Sequence, residues 1–356
     1  MRARLMFRST VAATTHVVDV RTYPRHLSRA ETEVGVSRRR PTPGKSRSSS
    51  QAASARRGKA PEPGKLTGKF APWLESTGHP TCANVTILTE RDGVRAAAIP
   101  MICDAVEDQI LGTNVLARMG MKRAAAVAEQ RLPKGKRIRS GDLAEVLATE
   151  YVNQETEFDV PLKRLRHKDD REMSMRGDDI IGIRKAGRGP VVLKGEVKSR
   201  AELASSVVKE ACDALDSSHG RPKPQTLGFV AHQLRQLNRD RDAERVEDLM
   251  QQKLGVRDVT HLVFTMSGND PSTHLAAHAG GRLRIADRRL VGLRVEAHQA
   301  FIEQVFTQLA RRYTPKARGK RTAGAREQRP APVRVPADAP VPRVAVNRPR
   351  KNAAID

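Results

Sequence analysis

Cysteine is scarce. Cys82, Cys103 and Cys212 are the only three in 356 residues, scattered and odd in number. With no CxxC pair they exclude a disulfide scaffold and a thiolate zinc site, and they fit a reducing cytoplasm. Aromatic residues are also few: one tryptophan (Trp73), three tyrosines and seven phenylalanines. That argues against an exposed stacking platform for single strands and favours contact with backbone phosphate over base readout. No apolar run approaches a membrane span. The first 20 residues lack the apolar core of an export signal. No GxxxxGK[ST] loop occurs, so ATP hydrolysis of the P-loop kind is excluded. His274 and His278 stand at i, i+4, but Ala276 and Ala277 lie between them with no acid, so they read as surface or capping histidines.

What is plentiful is positive charge, and its placement matters more than its total. The formal net charge is +25. Residues 1–70 hold 16 Lys/Arg against 4 Asp/Glu, and residues 315–356 hold 11 against 3. Residues 71–314 are nearly balanced, at 38 against 33. Both ends are rich in Pro, Arg, Ser and Ala without helical or strand period, so neither buries enough apolar surface to offset ordering entropy. They are expected to be disordered, and to hold polyanions loosely and salt-dependently if they hold them at all.

The middle carries the chemistry. Ile180, Ile181 and Ile183 form a β-branched run, Ala186-Gly187-Arg188-Gly189 reverses the chain, and Pro190-Val191-Val192-Leu193 starts the return. Centring the turn on Gly187 and Arg188 pairs position i with 375 − i and sets Asp179 opposite Glu196. Directly paired side chains lie about 4.5–5.5 Å apart at Cβ. Lys198, two residues past Glu196, shares its face. Two close carboxylates call for a cation between them. A hard ion such as Mg²⁺ takes one or two carboxylates and keeps its waters. A cross-strand Glu–Lys pair on a surface hairpin is the plain alternative, and Asp178 is a rival for the metal acid.

Gly-Asp-Asp-Ile-Ile followed by Gly-Glu-Val-Lys resembles the core of the PD-(D/E)XK nuclease superfamily, although no proline precedes Asp179. The segment Arg166 to Asp179 is similar to the HamA family, the nuclease subunit of the Hachiman antiphage defence system, and the likeness extends over roughly residues 80 to 314. The resemblance implies an α/β fold, a mixed β-sheet flanked by helices with a restriction-endonuclease-like core. It implies Asp179 and Glu196 as ligands of Mg²⁺ or Mn²⁺, with Lys198 orienting or helping to deprotonate the attacking water. It also implies a separate HamB-like helicase partner and DNA as substrate.

The superfamily often adds an acid from the helix before the hairpin. Ser140 is expected to cap a helix starting at Gly141, with Asp142 in its first turn and Leu143, Val146, Leu147 and Tyr151 as its apolar stripe. Glu145 lies off that stripe and is the candidate third metal residue, ahead of Glu150. Arg166, His167, Lys168 and Arg171, with Lys163 and Arg164, are the phosphate-contact candidates. Against that stands a charged loop neutralised by Asp169, Asp170 and Glu172.

Periodicity predicts helices over 99–119, 124–131, 201–215, from Pro224, over 242–254 and over 298–312, with strands at 259–266 and 289–295. The expected organisation is a basic extension over 1–70, a small helical unit over 71–137, a nuclease-like domain over 138–314 and a basic tail over 315–356. The function expected is that of a metal-dependent deoxyribonuclease acting in antiphage defence. The alternatives are a non-catalytic DNA-binding or complex-forming subunit on the same fold, or an endonuclease of restriction or resolvase type.

Overall fold

A computed structural model describes residues 66–280 and 287–314. The expectations for residues 1–65 and 315–356 lie outside the described residues. The elements run β1 (Leu74–Gly78), β2 (Val85–Glu90), α1 (Arg95–Val106), α2 (Thr113–Leu116), α3 (Met121–Arg131), α4 (Lys136–Glu155), β3 (Phe158–Asp159), β4 (Ile180–Arg184) and β5 (Val192–Arg200). They continue with α5 (Ser205–Asp216), α6 (Pro224–Gln236), α7 (Asp240–Gln251), β6 (Val259–Ser267), α8 (Ser272–Ala276), β7 (Asp287–Arg294) and α9 (His298–Tyr313).

The described strands form one mixed seven-stranded sheet in the order β1-β2-β7-β6-β5-β4-β3. The three central strands β7, β6 and β5 are parallel, while β5, β4 and β3 run antiparallel. Every residue of β6 is buried, as a central parallel strand covered on both faces requires. On one face α1, α4 and α9 pack over Leu193, Phe264, Val291 and Leu293. On the other, α6 and α7 cover Ile181, Ile183 and Val192, and α5 and α8 cover Val263 and Leu290. The expected mixed sheet flanked by helices is therefore present.

Four details differ from the sequence reading. Residues 71–137 supply helices and also β1 and β2, and β2 joins the central sheet beside β7. Trp73 stacks on Phe301 of α9 at 5.7 Å between ring centroids, which fixes this segment to the core. Residues 66–70, counted with the basic extension, are packed: Phe70 is buried, and the Gly68 N–H donates to Glu155 Oε1 at 2.8 Å. The long helix expected over 99–119 breaks where Gly112 takes φ +80°.

Ser140 is not a cap. α4 starts four residues earlier, so Ser140 sits inside it, buried and 2.8 Å from Ser199 Oγ of β5. The residues Lys136 to Arg139 continue the helix because nothing in them breaks it. Ser140 then serves as a helix-to-sheet contact, which lays α4 across the hairpin.

Candidate metal and phosphodiester site

The hairpin register is the one the turn centring predicts. Ile180 pairs with Gly195, Ile181 with Lys194, Gly182 with Leu193 and Ile183 with Val192, each pair summing to 375. Gly195 permits the close approach, since a β-carbon there would lie 2.9 Å from Ile180 Cβ. Extended by one residue, the register sets Asp179 against Glu196. Asp179 Oδ2 accepts the Val197 N–H at 2.9 Å, which ties the acid to β5 just before the start of β4. Lys194, Glu196 and Lys198 alternate along β5 on one face.

Gly177, Asp178 and Asp179 have separate tasks. Gly177 adopts φ +110°, and a β-carbon there would meet Thr226 Oγ1 at 2.6 Å. Asp178 is buried. Its N–H donates to Thr226 Oγ1 at 3.1 Å, and its Oδ2 accepts the Lys223 N–H at 2.7 Å, so it holds the amino end of α6. Its Oδ1 lies 3.7 Å from Lys194 Nζ, both side chains being 2 % exposed. Asp178 is thus engaged by Lys194 and the start of α6. Lys194, which sequence reading passed over, also donates to the carbonyls of Ala214, Leu215 and Ser217 at the end of α5. Its place in the alternation with Glu196 and Lys198 was the available signal.

Lys198 Nζ lies 3.2 Å from Glu196 Oε1 and 2.7 Å from Glu210 Oε1 of α5. Glu145 comes from α4 to the side of Asp179, whose charge it feels. Its Oε1 is 3.4 Å from Arg164 Nε, without hydrogen-bond geometry, and is otherwise unpartnered. Glu150 instead accepts from Gln109 and Gln154, which removes it from the site.

The electrostatics are strained. Burial pushes the Glu196 carboxyl up to about 7, and Asp179 adds to the push. Burial pushes Glu145 to about 8 against the pull of Arg164, with Asp179 again raising it. Asp179 is raised by burial in spite of the Val197 N–H, Arg164 and Lys198. Burial lowers the affinity of Lys198 for its proton, but Glu210 and Glu196 outweigh it and hold the ammonium above its usual range. These carboxyls fit a hard divalent cation by donor type, because such an ion would replace the protons they now favour. Among the described residues no three His, Cys, Asp or Glu side chains are grouped to hold an ion. The fit is therefore to the Asp179–Glu196 pair, the one or two carboxylates that Mg²⁺ usually takes.

The basic segment before the hairpin is largely engaged. Lys168 Nζ bonds both oxygens of Asp142, at 3.1 and 2.9 Å, and the Arg171 carbonyl at 3.1 Å. Lys163 pairs with Asp108, and Arg166 donates to the Asp108 carbonyl. Arg171 donates to the Glu129 carbonyl. The neutralising partners are thus Asp108 and Asp142, not the Asp169 and Asp170 expected. Glu172 does pair with the segment as expected, 3.5 Å from Arg171 Nε, and it also accepts the N–H groups of Lys134 and Gly135. His167 packs edge-on against Phe229 at 6.2 Å between ring centroids, and burial lowers its proton affinity. His278 meets Ser205 Oγ at 2.9 Å, in keeping with a non-metal role.

A mixed sheet, a hairpin bearing Asp and Glu-x-Lys, and a glutamate from the preceding helix are consistent with a core of PD-(D/E)XK type. Residues 75–309 match the HamA family model, so this chain belongs to the HamA family. A Hachiman protein HamA from Bacillus cereus is 26 % identical over 136 residues, covering 38 % of this chain and 48 % of that protein. The chain thus spans about half the length of that curated relative.

Proposed function

We propose that this chain is a metal-dependent nuclease that hydrolyses phosphodiester bonds in DNA. It acts in the cytoplasm, in a bacterial antiphage defence system, beside a HamB-like helicase subunit. Family membership supports the defence role, and no described helix is long and apolar enough to cross a membrane. The observation that carries the activity is the convergence of Asp179, Glu196 and Lys198, with a Lys198–Glu196 distance of 3.2 Å.

In this reading Asp179 and Glu196 would hold Mg²⁺ or Mn²⁺, with Glu145 alongside. Such an ion, when bound, would neutralise phosphate charge and make the attacking water more acidic. Lys198 acts as a cation: with Glu196 and Glu210 keeping its proton on, it orients the water and stabilises negative charge on the phosphate rather than serving as a base. Asp179 stays fixed by the Val197 N–H, so the acid does not swing as ligands enter. Burial of the carboxyls keeps water from screening the charges.

The experiment is full-length protein with supercoiled plasmid in Mg²⁺, with and without EDTA, beside Glu196→Ala. Nicking that EDTA and the substitution both abolish is expected. One observation favours a second reading, a non-catalytic DNA-binding or complex-forming subunit: Lys198 is already engaged by Glu196 and Glu210. Binding without nicking, in the parent as in the variant, would establish that reading instead.

A further inference from the structure

A cavity of about 740 Å³ opens beside Asp179. Glu145 and Asp179 stand on its lining, and Leu162, Met175, Phe229 and Val230 give it apolar walls, whereas Glu196 and Lys198 are not part of the lining. Arg164 also faces it, 8 % exposed, with Nε and Nη1 lacking any hydrogen-bond partner. A buried N–H left unpaired is costly, and an entering acceptor relieves it. Asp169 and Asp170 also contribute to the lining, so charge alone does not hold an anion there. The apolar walls must carry the ligand, and Arg164 must orient it. A largely apolar hollow with few convergent polar groups is the usual form of a small-ligand site.

We propose that this cavity takes one nucleotide of a DNA strand out of the base stack. The base lies against Phe229, a phosphate sits beside Arg164, and the adjoining phosphodiester reaches Asp179 and Glu196. The last step rests on the nuclease reading, while nucleotide binding does not. Phe229 is half-buried, with its ring edge-on to His167, so it is a stacking surface that a count of exposed aromatics misses. Extruding a base from a duplex costs free energy that an unpaired strand does not spend. Single strands and frayed ends are therefore the preferred substrates.

The test titrates deoxyadenosine monophosphate calorimetrically, in Ca²⁺, into the full chain, Phe229→Ala, Phe229→Leu and Glu196→Ala. Cleavage of a single-stranded oligonucleotide and of its blunt duplex is followed in Mg²⁺. The parent is expected to bind the nucleotide and to cut the single strand faster. Both Phe229 variants are expected to bind about tenfold more weakly, the scale of one lost base–aromatic stack, and to cut the single strand correspondingly less well. Phe229→Leu keeps apolar volume, so it reports on the ring even if the alanine variant fails to fold. Nucleotide binding by a parent that cuts nothing would sustain the pocket and sink the nuclease reading. A parent that cuts but binds no nucleotide, or a Phe229→Leu protein that binds and cuts like the parent, would overturn the pocket alone.

Discussion

Asp178 and Asp179 are neighbours in the chain and opposites in circumstance. Asp178 lies among partners: the Lys223 N–H, Thr226, and the ammonium of Lys194, which in turn closes the end of α5. Asp179 has one backbone donor, and its nearest charged influences include Arg164, Lys198 and Asp178. On one side of this peptide every charge is answered. On the other, Glu145 and Glu196 are pushed to about 8 and about 7. A buried network that is satisfied holds the fold; a cluster of carboxyls whose proton affinity is raised is suited to a cation. The contrast separates the acid that builds the hairpin from the acid that the hairpin presents.

The largest expected effect breaks the satisfied side. Asp178→Ala leaves Lys194 buried without its carboxylate and frees the amino end of α6, a loss of about 3–5 kcal/mol on the scale of a broken buried ion pair. Asp179→Ala loses one hydrogen bond, about 1 kcal/mol, and gains relief of its repulsion with Glu196. Its stability should stay within about 1 kcal/mol of the parent. Urea unfolding of both variants checks the pair. Equal losses would mean that the two acids share one structural role.

Next comes the separation of lysine from ligand. Lys198→Ala keeps both metal carboxylates, so Mn²⁺ affinity should persist in calorimetry while plasmid nicking falls by about 10²-fold. Glu196→Ala should lose both, because the ion loses an oxygen. Arg164 remains near Glu145 and Asp179 in either variant, so Lys198 is not the sole cation there. A Lys198→Ala protein that cuts at the parental rate would reduce the lysine to a salt-bridge partner of Glu196 and Glu210.

Much of this was legible before any coordinates. The isoleucine run, the glycine turn and the Glu-x-Lys strand specify the hairpin and its register, because side chains alternate with period two and the turn fixes the pairing. What escaped was non-local. Leu74–Gly78 is an edge strand with little apolar content, and β2 is defined by the distant β7 beside it. Ser140 has a cap-like identity, but its partner, Ser199, is 59 residues away. The engagement of Lys168 by Asp142 and of Lys194 by helix carbonyls depends on packing that a linear pattern does not encode.

The strain on the unsatisfied side should also be visible as a pH dependence. Glu196 and Glu145 bind their protons more tightly folded than unfolded, so their contribution to stability is full below about 4.5. It is lost as pH rises through about 7 and about 8. His261, lowered by burial to about 4, works in the opposite sense below about 6.5 and is silent above it. In EDTA, melting temperature should therefore fall between pH 6.5 and 8.5, and Mn²⁺ should remove the fall. Mn²⁺ affinity should rise about tenfold per unit as pH approaches 7 from below. Glu196→Gln should flatten both curves, and a parent curve that is already flat would show that the carboxyls are not strained.

The smallest expected effect lies on the satisfied side again, in the basic segment. A lysine that contacts one phosphate adds about 0.9 to the slope of log affinity against log salt. Lys168 spends its three donors on Asp142 and the Arg171 carbonyl, with its side chain 5 % exposed. Lys168→Met should therefore leave that slope for DNA binding essentially unchanged. Measuring at pH 6 limits the structural cost, since burial already raises the Asp142 carboxyl to about 6 and the acid left behind can take a proton. Anisotropy titrations of a labelled duplex from 50 to 200 mM salt, about the range over which phosphate contacts are lost, give the slope. A drop of about 0.9 would mean that Lys168 leaves Asp142 for the DNA, and that this part of the satisfied network is a reserve of phosphate contacts held until substrate arrives.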